Sequence, residues 1–401
     1  MTDPAPLLTD AELAALRAPI ETARTLPRRA FTSEEYFDRE RRRIAERNWL
    51  AACFGDEIPD AGDARPIDLW GLPIVVVRDR SGVLRAFHNV CAYDGCPVLT
   101  ENVQGAEALT AAYHGWSYSL DGELVDAPFW AGPPGNAADS VAPEHRRLVE
   151  IGIAEAVGIV FVDLFPDVAK PAFDDHVAPL LALLDQVAVD DLRLARGSDG
   201  EPDVFEASIR TNWKTFVEND CLNILHESFT HDLYRASPEI PRVTPDGRAR
   251  FKAECEGNVM GFSYAETDVV ATYPEIDLPD IGTSGPPTRG LFAQLYPNVS
   301  IAMTPTMIAP VLQFPERAGL TRVRGASLVH LDVAGPAHAA ARATANDVFA
   351  DAAAEDIVVV EGIQAVRASP VRDTGFYSPF WDRPHYEFSK RVAADLEREH
   401  F

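Results

Sequence analysis

The change of texture near residue 50 constrains this chain more than any other feature. Before it, residues 9–24 and 32–48 carry apolar residues at helical spacing. In the second stretch Thr32-Ser33-Glu34-Glu35 supplies an N-cap hydroxyl and early acids, with Tyr36, Ile44 and Trp49 as its apolar points. From about 50 to 165 the pattern becomes short β-rich runs, Ile74–Val77, Val83–Phe87 and Ile159–Val162, separated by Gly, Asp and Pro turns. Asp121-Gly122, between Ser117–Leu120 and Glu123–Val125, predicts a tight hairpin. Pro133-Pro134 flanked by Gly132 and Gly135 predicts an irregular loop over 129–140. The texture is that of a small all-β unit.

A second region begins near 170. It reads as a helix over 177–187, a strand over 205–210 and a helix over about 212–226. Strands follow at 250–266, 291–313 and 320–333, and an Ala-rich helix over 337–367 places Phe349, Ala352, Val360 and Ile363 along one face. The predicted class is α+β. Residues 1–48 form N-terminal helices that pack on the last domain, 49–165 the β domain, and 166–401 the larger domain. A length of 401 residues accommodates this division.

Charge and composition narrow the function. With 36 basic against 62 acidic side chains, net −26, the surface is unsuited to tracking phosphates, so no nucleic-acid partner is expected. The acidic surplus serves solubility or steers a basic partner. No run of 18 apolar residues predicts a membrane helix, and Met1-Thr2-Asp3-Pro4 lacks a signal-peptide pattern, so the expected location is the cytoplasm. Five cysteines are too few for a disulfide scaffold, yet enough to hold a metal cluster.

Two constellations carry chemistry. The first is Phe87-His88-Asn89-Val90-Cys91-Ala92-Tyr93-Asp94-Gly95-Cys96-Pro97, followed by Tyr113-His114-Gly115-Trp116-Ser117-Tyr118. The second is Asn212-Trp213-Lys214-Thr215-Phe216-Val217-Glu218-Asn219 leading into Leu225-His226-Glu227-Ser228-Phe229-Thr230-His231. Two histidines five apart diverge by about 140° on an ideal helix, so His226 and His231 meet one metal only if the helix opens between them.

Together these segments resemble the catalytic α subunits of the Rieske non-haem iron oxygenases, and the resemblance runs over essentially the whole chain. It implies a Rieske-like β domain at 49–165 and a helix-grip catalytic domain with a large antiparallel sheet at 166–401. The family's cluster motif is Cys-x-His followed by Cys-x-x-His, two thiolates on one iron and two imidazoles on the other. Here Cys91 and His114 fall on the first and last positions, while Tyr93 and Ala111 occupy the other two. The expectation is that no [2Fe–2S] cluster is held. Two alternatives stay open: a zinc site from His88, Cys91, Cys96 and His114, and a Cys91–Cys96 disulfide.

For the mononuclear iron the resemblance implies His226, His231 and Asp356 as a 2-His-1-carboxylate set for Fe(II), with Asn219 in the lead-in motif. Glu355 and Glu361 are the nearest alternatives to Asp356. Asn223 stands where the family usually carries a bridging acid, and an amide cannot carry that charge. The implied activity is O2-dependent hydroxylation or oxidative demethylation of a small organic substrate. The implied partners are a reductase or ferredoxin, within a homotrimer or a heteromer with a cluster-bearing paralogue. Two other readings are an iron enzyme independent of Rieske electron transfer and a non-catalytic regulatory subunit. Phe251, Phe262, Tyr264, Phe292, Tyr296 and Phe314 are candidate pocket aromatics.

Overall fold

The computed structural model describes residues 6–232, 243, 247–265 and 278–397. Two compact units emerge, one of residues 48–170 and one of 1–47 with 171–401.

The β unit contains β1 (Leu50–Phe54), β2 (Ala64–Leu69), β3 (Leu72–Arg78), β4 (Leu84–His88), β5 (Leu109–Thr110), β6 (Ser117–Tyr118), β7 (Leu124–Asp126), β8 (Glu150–Ala156) and β9 (Ile159–Asp163). Six of them form an antiparallel sheet in the order β1-β9-β8-β4-β3-β2, and β5-β6-β7 form a second. Ile74–Val77 are fully buried, as β-branched residues on a covered pleat should be. The β6–β7 hairpin turns at Gly122, whose φ is 86° and whose missing Cβ would sit 2.6 Å from the Phe87 ring. Only glycine satisfies both demands.

In the larger unit, β10 (Leu192–Leu194), β11 (Val204–Ile209), β12 (Phe251–Glu256), β13 (Val259–Ala265), β14 (Arg289–Leu295), β15 (Val299–Thr304), β16 (Met307–Arg317), β17 (Leu320–Ala326) and β18 (Leu328–His330) form one antiparallel sheet. Its order is β10-β18-β16-β15-β14-β13-β12, with β17 joining β16 to β11. The N-terminal helices are α1 (Asp10–Leu16), α2 (Arg29–Thr32) and α3 (Glu34–Arg47); α4 (Phe173–Leu183), α5 (Trp213–Asp220) and α6 (Glu227–Thr230) follow. The long α7 (Ala339–Arg367) lies on the sheet, burying Val360 with Ile209 and Val323 while Phe216, Val311 and Ile357 close around them. The chain ends in α8 (Arg383–Glu397). No helix among the described residues is long and apolar enough to cross a membrane.

Specific polar contacts bind the N-terminal helices to this unit. Glu34 accepts from the Ala318 amide at 3.0 Å, and Gln364 donates to the Phe31 carbonyl at 2.8 Å. At the centre Lys214 Nζ lies 2.8 and 2.6 Å from the two Glu40 oxygens, both side chains wholly buried, and Trp213 Nε1 donates to Glu40 at 3.1 Å. Burial raises the Glu40 pKa and lowers that of Lys214, each against the pull of the other.

Several boundaries differ from the sequence reading. The first helix stops at Leu16, capped at its start by Thr9 and Glu12, because Pro19 cannot continue it. The helix expected over 212–226 ends at Asp220. None of the six candidate aromatics lines the cavity walled by Phe205 and Phe216. Tyr264 stacks on Phe292 with centroids 5.5 Å apart, Phe251 meets Tyr264, and Tyr296 is buried with its hydroxyl donating to Asp395. Phe262 and Phe314 are equally core, at 2% and 1% exposure.

Two predictions follow from this packing. A Cβ on Gly290 would fall 2.1 Å from the Tyr264 ring, so Gly290→Ala is expected to cost about 2 kcal/mol of stability, read as a lower urea midpoint at unchanged slope. Burial alone would raise Glu218, but Arg367 at 2.6 Å and His385 at 3.2 Å outweigh it and hold the carboxyl down at about 2. A depressed carboxyl contributes stability above its unfolded pKa of about 4.5 and loses it as pH falls towards 2, here about 3 kcal/mol. Glu218→Gln should remove that pH-dependent part, flattening the acid limb of a stability–pH profile.

Candidate metal centre

The end of α5 creates the site. Asn212 caps the helix by accepting from the Lys214 amide at 3.1 Å, and Trp213 and Val217 bury one face. After Asp220 the chain leaves the helix, and Asn223 Oδ1 accepts from the Leu225 amide at 2.9 Å. His226 then precedes the four-residue α6 in helical conformation, whereas His231 follows it extended, with φ −88° and ψ 123°. This single turn, with an extended residue at its end, cancels the angular divergence that a continuous helix would impose. The two rings come to 5.3 Å between centroids, inclined at 71°.

Each imidazole is oriented through its Nδ1. His226 Nδ1 donates to the Asn223 carbonyl at 2.5 Å, and His231 Nδ1 donates to Glu355 at 2.8 Å. That tautomer leaves both Nε2 lone pairs directed at Asp356, whose Oδ1 lies 3.4 Å from His226 Nε2 and 3.6 Å from His231 Nε2. The three donor atoms fall within 4.8 Å of one another. Asp356 Oδ1 is buried and has no hydrogen-bond partner, an expensive state for an anion unless a cation occupies the gap. The donor set, two imidazoles and a carboxylate, fits Fe(II) and leaves open positions on it. Burial works against charge on His226, but Asp356 and Glu227 outweigh it and raise its pKa.

Of the alternative carboxylates, Glu355 is spent on His231 Nδ1, and Glu361 pairs with Arg210 at 2.7 Å. Glu227 went unnoticed in the sequence. Its oxygens stand 3.9 and 3.7 Å from the Nε2 atoms of His226 and His231, and its position, i and i+4 with His231, was the available signal. Asn219 is buried beside the site and lines a small cavity of about 80 Å3; Asn223 instead braces the His226 loop. The remaining cavity wall is Phe205, Ala207, Ile209, Phe216, Val311, Val323, Ala353, Ile357 and Val360, apolar throughout, with Asp220 and Asp356 at the metal end. Burial pushes Asp220 up to about 6, opposed by a hydrogen bond from Ser300 and reinforced by Asp356.

In the β unit the Cys91 loop is closed by Cys91 N–H donating to the Cys96 carbonyl at 2.8 Å. The facing loop closes by Gly115 N–H donating to Ala111 at 2.8 Å, with Gly115 at φ 72°. At the family's four ligand positions stand the buried Cys91 thiol, Tyr93, the buried Ala111 methyl and His114. Tyr93 stacks on Trp116 at 5.2 Å and meets His114 edge-on at 4.7 Å, so its ring fills space instead of offering a donor. A two-Cys, two-His set therefore does not fit these positions. His88, half-buried and hydrogen-bonded to the Leu164 backbone, is not among the close-set donors, which are Cys91, Asp94 and Cys96.

Comparison with known proteins agrees with this geometry at the level of family. Residues 190–398 match the ring hydroxylating alpha subunit (catalytic domain), and residues 48–134 match the Rieske [2Fe–2S] domain. The carnitine monooxygenase oxygenase subunit of Escherichia coli (strain K12) is 28% identical over 227 residues, 55% of this chain and 56% of the relative. The glycine betaine monooxygenase oxygenase subunit of Chromohalobacter salexigens is 31% identical over 226 residues, 55% and 47%. The chain thus spans about half the length of these relatives. Among solved structures, a quaternary ammonium Rieske monooxygenase superposes with TM-score 0.76 at 21% identity, covering 96% of this chain and 98% of the other. Naphthalene 1,2-dioxygenase from Rhodococcus sp. does so with TM-score 0.71 at 17% identity, covering 98% and 100%. The match over 48–134 stands against the expected absence of a [2Fe–2S] cluster, an expectation that rested on Tyr93 and Ala111 and finds no support in these relatives. With both domain models matched in order along the chain, this protein belongs to the Rieske non-haem iron oxygenase α-subunit family.

Proposed function

We propose that the chain is the oxygenase component of a system that hydroxylates a small organic molecule with O2, using a mononuclear Fe(II) held by His226, His231 and Asp356. Hydroxylation at an N-methyl carbon would amount to oxidative demethylation, and the relatives named carnitine and glycine betaine monooxygenase direct the choice of substrate towards quaternary amines. The observation that carries the reading is the buried, unpartnered Asp356 Oδ1 facing two oriented Nε2 atoms, beside a cavity with apolar walls. Bound iron would supply the O2-activating chemistry. The protein's own residues do the rest. Asn223 and Glu355 fix the two tautomers, the apolar wall excludes water from the substrate, and Asp220 places the one further carboxyl of the cavity lining at its metal end.

Electrons would come from a reductase or ferredoxin, and the subunits would assemble as a trimer or with a cluster-bearing paralogue. The test is O2 uptake by the iron-loaded chain with a ferredoxin and reductase, across a panel of betaines, tertiary amines and aromatic acids. Substrate-dependent uptake with formation of a hydroxylated or demethylated product supports the reading. Uptake that no compound stimulates, with or without a cluster-bearing paralogue, rejects it.

A further inference from the structure

The β unit brings Cys91, which stands at one of the family's ligand positions, together with Asp94 and Cys96, which do not. The geometry points to a site for a single thiolate-preferring divalent cation of the zinc class, held by Cys91, Asp94 and Cys96 and braced by His114. One ligand atom from each of the three residues falls within 4.8 Å of the other two. Around zinc, with bonds to sulfur of about 2.3 Å, two thiolates of a tetrahedral site lie about 3.8 Å apart, so closure needs only small side-chain movement. Four residues separate the cysteines, a spacing common in zinc loops.

The loop is set before any ion arrives. Asn89 Oδ1 accepts from the amides of Val98 and Leu99 at 3.0 and 2.9 Å, and its Nδ2 donates to the Leu99 carbonyl at 2.7 Å. Gly95, at φ 78°, donates to the Cys91 carbonyl at 3.0 Å and folds the chain back on itself. The Asp94 carboxylate is held at both oxygens: the Cys96 amide donates to Oδ1 at 3.1 Å, and His114 Nε2 lies 2.7 Å from Oδ2. Such an outer partner fixes a ligating carboxylate in orientation. The Tyr118 hydroxyl is 3.4 Å from Cys91 Sγ, placed to donate to a thiolate.

Access and seclusion are both provided. Cys91 is buried, Cys96 is partly exposed, and the Asp94 side chain is 27% exposed, giving an ion a path from solvent to a mostly dry thiolate. Tyr93 and Trp116 stack over the same loops. Binding needs no redox step: the two thiols release their protons to water, and two thiolates and one carboxylate meet the divalent charge, with a water in the fourth position. The site lies within residues 88–118 and does not rest on the iron reading.

Cobalt(II) tests it, in the full chain carrying His226→Ala so that the other centre does not contribute. Titration should give one cobalt per chain with thiolate-to-cobalt charge-transfer bands and the strong visible bands of tetrahedral cobalt, all displaced by zinc. Cys96→Ser should abolish the charge-transfer bands, and Asp94→Asn should weaken cobalt affinity at least about tenfold. The metal-free melting curve of Cys96→Ser is compared with the parent to separate misfolding from lost ligation, and Asp94→Asn, which keeps both thiols, gives an independent reading. Three results overturn the proposal: no thiolate-to-cobalt band while both thiols react with a thiol reagent, a Cys91–Cys96 disulfide in the purified chain, or the visible and EPR signature of a [2Fe–2S] cluster.

Discussion

Replacing Asp356 with Ala is expected to lower the iron content of the reconstituted chain from about one per chain to below a tenth, and to abolish substrate-dependent O2 uptake. The argument is one of charge. Two neutral imidazoles bind a hard divalent cation weakly, and the buried Oδ1 is the anion of the set that lies close to both Nε2 atoms. Glu227, 3.7 Å from His231 Nε2, offers the nearest substitute and would rescue part of the binding if it can swing inward. Glu355→Gln separates ligation from orientation. It leaves the three donors intact but weakens the hold on His231 Nδ1, so iron affinity should fall roughly 10- to 100-fold without being lost. Equal loss in both variants would mean that Glu355 is itself a ligand.

The second large effect concerns stability. Lys214→Met is expected to cost about 3–5 kcal/mol, because it strands the Glu40 carboxylate without its cation in a site with no access to water. Glu40 would then keep only the Trp213 indole N–H at 3.1 Å. Lys214 also lies 5.2 Å from the ring centroids of Phe31 and Trp213, contacts that a thioether only partly replaces. In the double variant Glu40→Gln/Lys214→Met no charge remains buried, and more than half the loss should be recovered. Urea unfolding of the four members of the cycle measures the coupling; a single-variant cost under about 1 kcal/mol would show that water reaches the pair.

The sequence reading succeeded where local chemistry and tertiary structure ask for the same thing. Ile74–Val77 are strand residues by branching and by burial, and Asp121-Gly122 turns because Gly122 must adopt a positive φ. It failed where apolar residues continued past the end of a helix. Cys221, Leu222 and Ile224 prolong the helical pattern, yet they are buried in an irregular segment, and that break is what lets His226 and His231 converge. The strand aromatics were misplaced for a related reason. Register decides which face a side chain meets, and pairing of β13 with β14 sets Tyr264 against Gly290 and Phe262 against Phe292 within the core. The cavity takes its aromatics from β11 and α5 instead, as Phe205 and Phe216. His226, His231 and Asp356 were nameable as a set only through the family resemblance, whereas the Cys91–Asp94–Cys96 triangle depends on the turn at Gly95, which neither resemblance nor spacing fixes.

Consecutive residues of α7, Glu355 and Asp356, grip the same stretch of chain in different ways, one through His231 Nδ1 at 2.8 Å and the other across the gap to both Nε2 atoms. Glu355 lies 124 residues beyond His231, so an ion in that gap would fasten a long excursion of the polypeptide at its two ends. The metal would then be a clasp as well as a reagent, and chelation would loosen the His226–His231 turn from its helix before it disturbed the sheet. Slow hydrogen exchange in this turn would thus become a measure of iron occupancy, readable without any substrate.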